Sequence, residues 1–221
     1  RLENQKSIYE KQLAEIKLKA LVAQMNPHFI FNCMNSIQAM ILSDQNMQAS
    51  TYLTKLSRLV RSVLENSVKT FIPLQDVIEN LKLYLELESL RFDQQFNYDF
   101  RTDDIDVYSI EMPSMLIQPY VENAIWHGLL KKEGEKDIHI RFFKNFNYLI
   151  CEIEDNGIGR VKAAELNLKK QHKSLGTIIT QEMFDTLHKI KETDYSVEIV
   201  DLYDANNLPT GTKVIIRIEL N

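Results

Sequence analysis

The first 70 residues contain no glycine, and their apolar residues recur at the spacing of helices. Near the start they follow a short heptad pattern made by Leu2, Tyr9, Ile16 and Ala23, with Leu13 and Ala20 in between. Pro27 interrupts this pattern, because proline lacks an amide hydrogen and clashes with the preceding turn. Helical spacing resumes after Pro27, so we expect a kinked continuation of the helix.

A polar turn at residues 43–46 separates two helical stretches. The second stretch carries one apolar face, formed by Leu53, Leu56, Leu59, Val60 and Val63. Two helices joined by a short turn form a hairpin, and the remaining apolar surface would suit a second copy. We therefore expect residues 1–70 to form a helical hairpin that dimerises as a four-helix bundle.

The pattern changes from helical to mixed in residues 71–221. Pro73 precedes a third helix predicted to run to about Phe92, and Pro113 is predicted to start another that ends near Trp126. Apolar residues then alternate as in strands, and a last helix is predicted near residues 175–190. The strands are expected at 96–100, 138–142, 149–153, 195–203 and 212–220. The fold class is therefore α+β, with strands on one side and helices on the other.

Composition excludes several classes of protein. The 221 residues are 44% hydrophobic and 26% charged, as in ordinary globular chains of one or two domains. The net charge of −5 argues against nucleic-acid binding. Cys33 and Cys151 are too few for a disulfide framework. No stretch approaches the roughly 20 apolar residues of a membrane span, so we expect no membrane segment within this chain. Because Arg1 stands inside a helical pattern, we expect a piece of a longer protein.

A histidine follows the proline at the expected helix kink. Asn32 lies one turn beyond His28 on the same face of the helix. An amide there is suited to hydrogen-bond one imidazole nitrogen, fix the tautomer and leave the other nitrogen nucleophilic. The same spacing also fits a partly buried histidine beside a structural kink.

Residues 118–128 bring polar groups to an otherwise apolar helix. Glu122, Asn123 and His127 interrupt the apolar residues there. An amide oxygen suits a magnesium ion that retains waters and bridges phosphates. A solvated helix face explains the same residues equally simply.

Two glycine-containing segments complete the candidate residues. Asp155 ends a predicted strand and is followed by Gly157 and Gly159, where backbone can approach a ligand closely and a carboxylate can accept from an amine. Gly176 precedes a predicted helix, and Gly211-Thr212 lies near the end of the chain. Each is also common in ordinary turns and helix starts.

The order and spacing of these segments resemble the kinase core of the LytS-type sensor histidine kinases. The resemblance runs from about Lys19 to the end of the chain. It is most specific over residues 24–32, over 83–88 with Arg91-Phe92, and over 113–128. It implies a GHKL-type (Bergerat) ATP-binding α/β sandwich over residues 71–221, after the hairpin.

The resemblance also implies roles for single residues. His28 would accept the phosphoryl group, with Asn32 beside it, and Asn123 would hold Mg²⁺ on ATP, with His127 nearby. Asp155 would bind the adenine amino group. The glycine boxes and the closing pair would be Gly157, Gly159, Gly176, Gly211 and Thr212. A response regulator and a second copy are the implied partners. The whole protein would be a membrane-anchored sensor, with this chain in the cytoplasm.

Three departures from the family pattern keep an alternative open. Phe29 stands where classical histidine kinases carry an acidic residue, so no catalytic base is assigned. Trp126 replaces a lysine that many relatives carry, and the second glycine box has one glycine. A non-catalytic dimeric nucleotide-binding scaffold is therefore the alternative function. Pro119 stands where ATP-hydrolysing GHKL proteins place a water-activating glutamate, which argues against a hydrolase.

Overall fold

The computed structural model describes residues 27–67, 69, 71–92, 96–114, 116–166 and 194–220. These residues divide into two compact units. The helical unit comprises described residues of 27–92 and 107–114, and the sheet unit comprises those of 96–106 and 116–220. The predicted heptad pattern before Pro27 and the predicted helix near 175–190 lie outside the described residues.

The described elements follow one another from helices to a mixed sheet. In chain order they are α1 (Pro27–Leu42), α2 (Asn46–Ser67), β1 (Phe71–Pro73), α3 (Leu74–Arg91), β2 (Asn97–Asp103), β3 (Glu111–Pro113), α4 (Gln118–Asn123), a π-helix (Ala124–Gly128), a 3₁₀-helix (Leu129–Lys131), β4 (Asp137–Asn145), β5 (Tyr148–Asp155), α5 (Arg160–Leu166), β6 (Tyr195–Tyr203) and β7 (Pro209–Glu219). The predicted α+β class is confirmed.

The turn between α1 and α2 is closed by backbone hydrogen bonds. The Gln45 N–H donates to the carbonyl of Met40 at 2.8 Å, and the Asp44 N–H donates to that of Ile41 at 3.1 Å. Asp44 takes a positive φ of 58°, as residues just past the end of a helix commonly do when backbone bonds of this kind close the helix. These bonds satisfy carbonyls that the end of α1 would otherwise leave unpaired.

The helical unit buries one stripe from each helix of the hairpin. The buried residues repeat every three or four positions and are Phe29, Cys33 and Ile37 on α1, and Ala49, Tyr52, Leu56 and Leu59 on α2. α3 packs on both helices, and the ring of its Tyr84 lies 5.3 Å from that of Phe29. The stripe on α2 therefore differs from the predicted face, because Leu53 is 46% exposed.

Pro113 does not start a helix, which corrects the prediction. It ends β3, which pairs antiparallel with β1, and Met112 of β3 is fully buried opposite Ile72. Proline is tolerated in a strand at a sheet edge. The helix begins instead at Gln118, with Pro119 in its first turn. Strands of three residues are too short for an alternating pattern, so β1 and β3 were not predicted.

The sheet unit is built on five strands in the order β2-β4-β5-β7-β6. β2 and β4 are parallel, and the other neighbours are antiparallel. The predicted hairpin of β4 and β5 is confirmed, and Phe146 at its turn has a φ of 51°. β5 contributes alternating buried residues to the core, including Leu149, Cys151 and Ile153. Within the described part of the chain, no helix is both long and apolar enough to span a membrane.

Candidate functional site

A cavity of about 280 Å³ lies in the sheet unit, beside α4, the π-helix, the start of α5 and strands β6 and β7. Five of the residues singled out in the sequence line it, namely Asn123, His127, Asp155, Gly159 and Thr212. These residues come from three separate stretches of the chain. The fold therefore brings together side chains that the sequence connected only by their order.

Asp155 is a buried carboxylate at the end of β5. Its exposed fraction is 5%, and burial raises its pKa to about 6. The N–H of Gly157 donates to its Oδ1 at 2.8 Å, and a backbone hydrogen bond from Thr212 also favours the ionised form. Thr212 lies opposite Asp155 in the β5–β7 ladder. A carboxylate held in this way is a strong acceptor for a ligand amine.

Gly128 and Gly157 let two backbone segments touch beside this carboxylate. A Cβ on Gly157 would lie 2.5 Å from the carbonyl carbon of Gly128. A Cβ on Gly128 would lie 2.8 Å from Oδ1 of Asp155. Any larger side chain at either position would push the end of the π-helix away from the loop after β5. The sequence predicted a close backbone approach at Gly157, and the structure shows that the neighbouring backbone is that of Gly128.

Gly211 permits an equally close approach from β7. Its φ is 150°, and a Cβ there would lie 1.9 Å from the backbone oxygen of Asp155. Only glycine fits between these strands at this point. Gly211 therefore controls how closely Thr212 lies to Asp155.

Asn123 and His127 reach the cavity from α4 and the π-helix. Val121 and Ile125 are fully buried and anchor these helices in the core. Asn123 is half-buried, and His127 is exposed on the cavity wall. Desolvation by the cavity wall and the charge of the neighbouring Lys131 lower the pKa of His127, which favours the neutral imidazole.

Glu122 is a further polar residue of α4 to which the sequence gave no role. Burial raises its pKa to about 7, and the Nε2 group of Gln118 donates to its Oε1 at 2.9 Å. Its signal in the sequence was an acidic residue in an otherwise apolar helix. Glu122 does not line the cavity.

Two comparisons with known proteins identify the family. A histidine kinase family model matches residues 16–96. The sensor protein LytS of Oceanobacillus iheyensis is 35% identical over 150 residues, which cover 68% of this chain and 25% of that protein. The sensor histidine kinase BtsS of Escherichia coli is 35% identical over 151 residues, 67% of this chain and 26% of that protein. The chain belongs to the LytS-type sensor histidine kinases. It spans about a quarter of the length of these curated relatives.

Among solved structures, the chain is similar to the histidine kinase domain of a blue-light activated histidine kinase from Erythrobacter litoralis. The TM-score is 0.48 at 18% identity, with 98% of this chain and 94% of that chain covered. The resemblance expected from the sequence is confirmed by the family match and the curated relatives.

The part of this LytS-type chain matched by the family model includes the predicted phospho-acceptor segment. His28 and Asn32 both lie in α1, one turn apart. Asn32 is half-buried, and its backbone carbonyl accepts from the Ser36 hydroxyl at 3.1 Å. The side chain of His28 lies outside the described residues, as does Gly176 of the second glycine box.

The helical unit also contains a buried polar cluster that sequence reasoning missed. The Tyr52 hydroxyl donates to the carbonyl of Leu87 at 3.2 Å and lies 3.4 Å from Sγ of Cys33. Close by, Arg91 pairs with Glu88 at 2.6 Å, and their side chains are only 7% and 0% exposed. Glu88 and Arg91 both belong to segments that carried the family resemblance. Their burial is set by packing between helices, which helical spacing alone does not reveal.

Proposed function

We propose that this chain is the kinase core of a two-component sensor, which autophosphorylates a histidine from ATP and passes the phosphoryl group to an aspartate of a response regulator. His28 is the acceptor in this proposal, in a hairpin domain of residues 1–70. Residues 71–221 form the ATP-binding domain. The family membership of the chain supports the reaction class. The whole protein is a membrane-anchored sensor whose cytoplasmic portion contains this chain.

The observation that carries the proposal is the buried carboxylate of Asp155 in the wall of the cavity. Burying an ionised carboxylate costs free energy unless a ligand or a partner group pairs with it or donates hydrogen bonds to it. In the proposal it accepts a hydrogen bond from the adenine amino group. Gly157, Gly159, Gly211 and Thr212 keep backbone close to the nucleotide, and the family resemblance implies the same role for Gly176 of the second glycine box.

The residues of the cavity also fit a magnesium ion brought with the triphosphate. The described residues contain no group of three or more histidine, cysteine, aspartate or glutamate side chains that could hold a metal by themselves. Mg²⁺ commonly takes few protein ligands and completes its shell with phosphate and water. Asn123 would hold it through the amide oxygen, with His127 nearby. The ion would neutralise charge on the phosphates.

Phosphoryl transfer in this proposal begins at an uncharged imidazole. One nitrogen of His28 attacks the γ-phosphorus of ATP, so an N–P bond forms and the bond from phosphorus to the β–γ bridging oxygen breaks. ADP leaves with that electron pair, and the phosphorylated ring releases the proton of its other nitrogen to solvent. Asn32 holds the other nitrogen and fixes the tautomer. Positioning and charge neutralisation provide most of the acceleration in such reactions.

The second transfer restores the histidine. A carboxylate oxygen of the response regulator's aspartate attacks the phosphorus, the N–P bond breaks, and an acyl phosphate forms. The electron pair returns to the imidazole, which takes up a proton. The partner in this step is a response regulator, and the kinase core acts as a homodimer.

Incubation with γ-labelled ATP tests the function directly. The wild type is expected to take up label that is labile in acid and stable in base, and His28→Gln is expected to lose it. His139→Gln is a matched control, because His139 is 58% exposed on β4 and does not line the cavity. Undiminished labelling of His28→Gln would exclude His28 as acceptor. Nucleotide binding without any label in the wild type would favour the non-catalytic scaffold.

A further inference from the structure

Arg160 is a charged residue of the cavity wall to which the family resemblance gives no role. It is the first residue of α5 and follows Gly159 directly. Its Nε and Nη2 groups donate to Oδ1 and Oδ2 of Asp201, both at 2.7 Å. Asp201 lies on β6, at the edge of the five-stranded sheet. A two-pronged ion pair thus fixes the guanidinium beside the cavity.

The ion pair determines both the charge and the orientation of this group. The hydrogen bond to Asp201 raises the pKa of Arg160, and the same bond lowers the pKa of Asp201. Both groups are therefore ionised at any physiological pH, and their charges cancel. Hydrogen bonds to a guanidinium lie in its plane, so this fork occupies one edge of the Arg160 group and does not use its flat faces.

The surroundings of Arg160 suit a flat ring better than a phosphate. Ile199 and Val214 lie opposite one another on β6 and β7, and both line the same cavity. Ala163, one turn along α5, adds another apolar side chain to the wall. A cation already neutralised by a carboxylate attracts a polyphosphate weakly. Arginine planes are known to stack on nucleobases.

We propose that Arg160, oriented by Asp201, stacks on the base of the bound nucleotide and is a binding determinant for that base. This inference rests on the proposed function, because Asp155 identifies the base-binding end of the cavity only if the ligand is an adenine nucleotide. Arg160 increases the affinity for the base by stacking on it. Asp201 is a positioning residue, because it orients the Arg160 guanidinium.

Binding measurements on the full chain separate a base contact from a phosphate contact. ADP affinity is measured by calorimetry and adenosine affinity by ligand-observed NMR, for the wild type, Arg160→Ala, Arg160→Lys and Asp201→Asn. We expect Arg160→Ala to weaken both ligands by a similar factor, roughly 10-fold, as loss of one stacking contact does. Arg160→Lys should lose nearly as much, since an ammonium has no plane. Asp201→Asn should lose less, because the guanidinium remains.

Arg217→Ala is the matched control. Arg217 also links β7 to β6, through Glu198 at 2.8 Å, but does not line the cavity. We expect it to leave both affinities unchanged. Full retention of binding by Arg160→Ala would overturn the inference, and so would a loss confined to ADP or rescued by lysine, since either result means a phosphate contact. Failure of the wild type to bind any adenine nucleotide would instead overturn the proposed function.

Discussion

The buried carboxylate of Asp155 lowers the stability of the folded chain, and it can accept a hydrogen bond from a ligand. Burial raises its pKa from an ordinary value of 3.8 to about 6, so the folded chain holds the proton more tightly than the unfolded chain does. Stability therefore decreases as pH rises from about 4 to about 6, and the ionised carboxylate remains destabilising above that range. A shift of this size corresponds to about 2–3 kcal/mol at pH 7.

Asp155→Asn is therefore expected to be more stable than the wild type without ligand, while losing adenine nucleotide affinity. Urea denaturation at pH 7.5 should show a gain of about 1–2 kcal/mol, smaller than the full linkage value because an amide matches the backbone donors less well. At pH 5 the difference should largely vanish, because the wild-type carboxyl is then protonated.

Asp104→Asn serves as the control for this substitution. Asp104 is exposed and has a φ of 47°, which asparagine tolerates. Because Asp104 is exposed, we expect Asp104→Asn to leave the free energy of unfolding within about 0.5 kcal/mol of the wild type. An Asp155→Asn variant that is less stable than the wild type by the same amount at both pH values would contradict the linkage.

At this scale the sequence predicted residue types better than their environments. Asp155 and Gly157 were recognised because a carboxylate and a glycine stand directly after an alternating strand. The pairing of Arg160 with Asp201 was not, because the two residues meet only when β6 joins the sheet. Nor did the sequence predict the perturbed pKa of Glu122, since burial depends on the packing of α4 in three dimensions.

Among the elements, α3 carries a buried charge pair as well as apolar residues. Glu88 and Arg91 lie one turn apart, with exposed fractions of 0% and 7%, and the Arg91 guanidinium lies 4.1 Å from the centre of the Phe92 ring. Removing one member of such a pair leaves a buried charge without its counter-charge. Substituting one member of the pair is therefore expected to cost far more stability than substituting both.

Arg91→Leu is expected to destabilise the chain by about 3–5 kcal/mol. The double variant Glu88→Gln with Arg91→Leu should recover most of that loss, because no ionised group then remains buried. Chemical denaturation measures both differences. Arg58→Leu is the control: Arg58 pairs with Glu79 at 3.2 Å, but the two side chains are 67% and 47% exposed.

The control is expected to lie within about 0.5 kcal/mol of the wild type. If the double variant were as unstable as the single one, the loss would come from packing of the arginine stem, and the electrostatic explanation would be wrong.

Elements with a long periodic pattern were predicted closely, and short ones were not. The predicted span of β6, 195–203, is the observed one, and α3 ends within one residue of its predicted end. In contrast, the π-helix after Asn123 has no distinctive composition, because an extra residue in a helical turn is set by tertiary contacts. The helix start predicted at Pro113 was wrong, because Pro113 pairs with β1 as the end of β3 and the helix begins at Gln118.

At the scale of the whole molecule, the proposed dimer depends on a second apolar stripe of the hairpin. α3 covers the buried stripes of α1 and α2, yet several large apolar side chains of these two helices remain exposed. They are Phe31, Met34, Ile41, Leu53 and Leu64, with exposed fractions between 46% and 68%. Clusters of exposed apolar residues of this kind mark interaction surfaces.

Light scattering on the purified chain is therefore expected to give the mass of a dimer, twice the 25.9 kDa of one chain. Introducing a charge with Met34→Glu or Leu53→Glu should shift the chain to monomer at micromolar concentration, because an ionised group cannot be buried in the bundle. Phe146→Glu is the control, since Phe146 is 93% exposed at the β4–β5 turn. A wild type that is monomeric at high concentration would contradict the proposed dimer.

The β5–β7 ladder has a consequence for the chain while it is being made. β4 and β5 are adjacent in sequence and can pair as soon as both have left the ribosome, so Asp155 is placed early. Its neighbour Thr212 belongs to a strand that is translated much later. A nascent chain that ends before β7 therefore has the carboxylate but lacks the strand that completes its surroundings. On the proposed function, we therefore expect nucleotide binding to begin only after β7 has been synthesised and has entered the sheet.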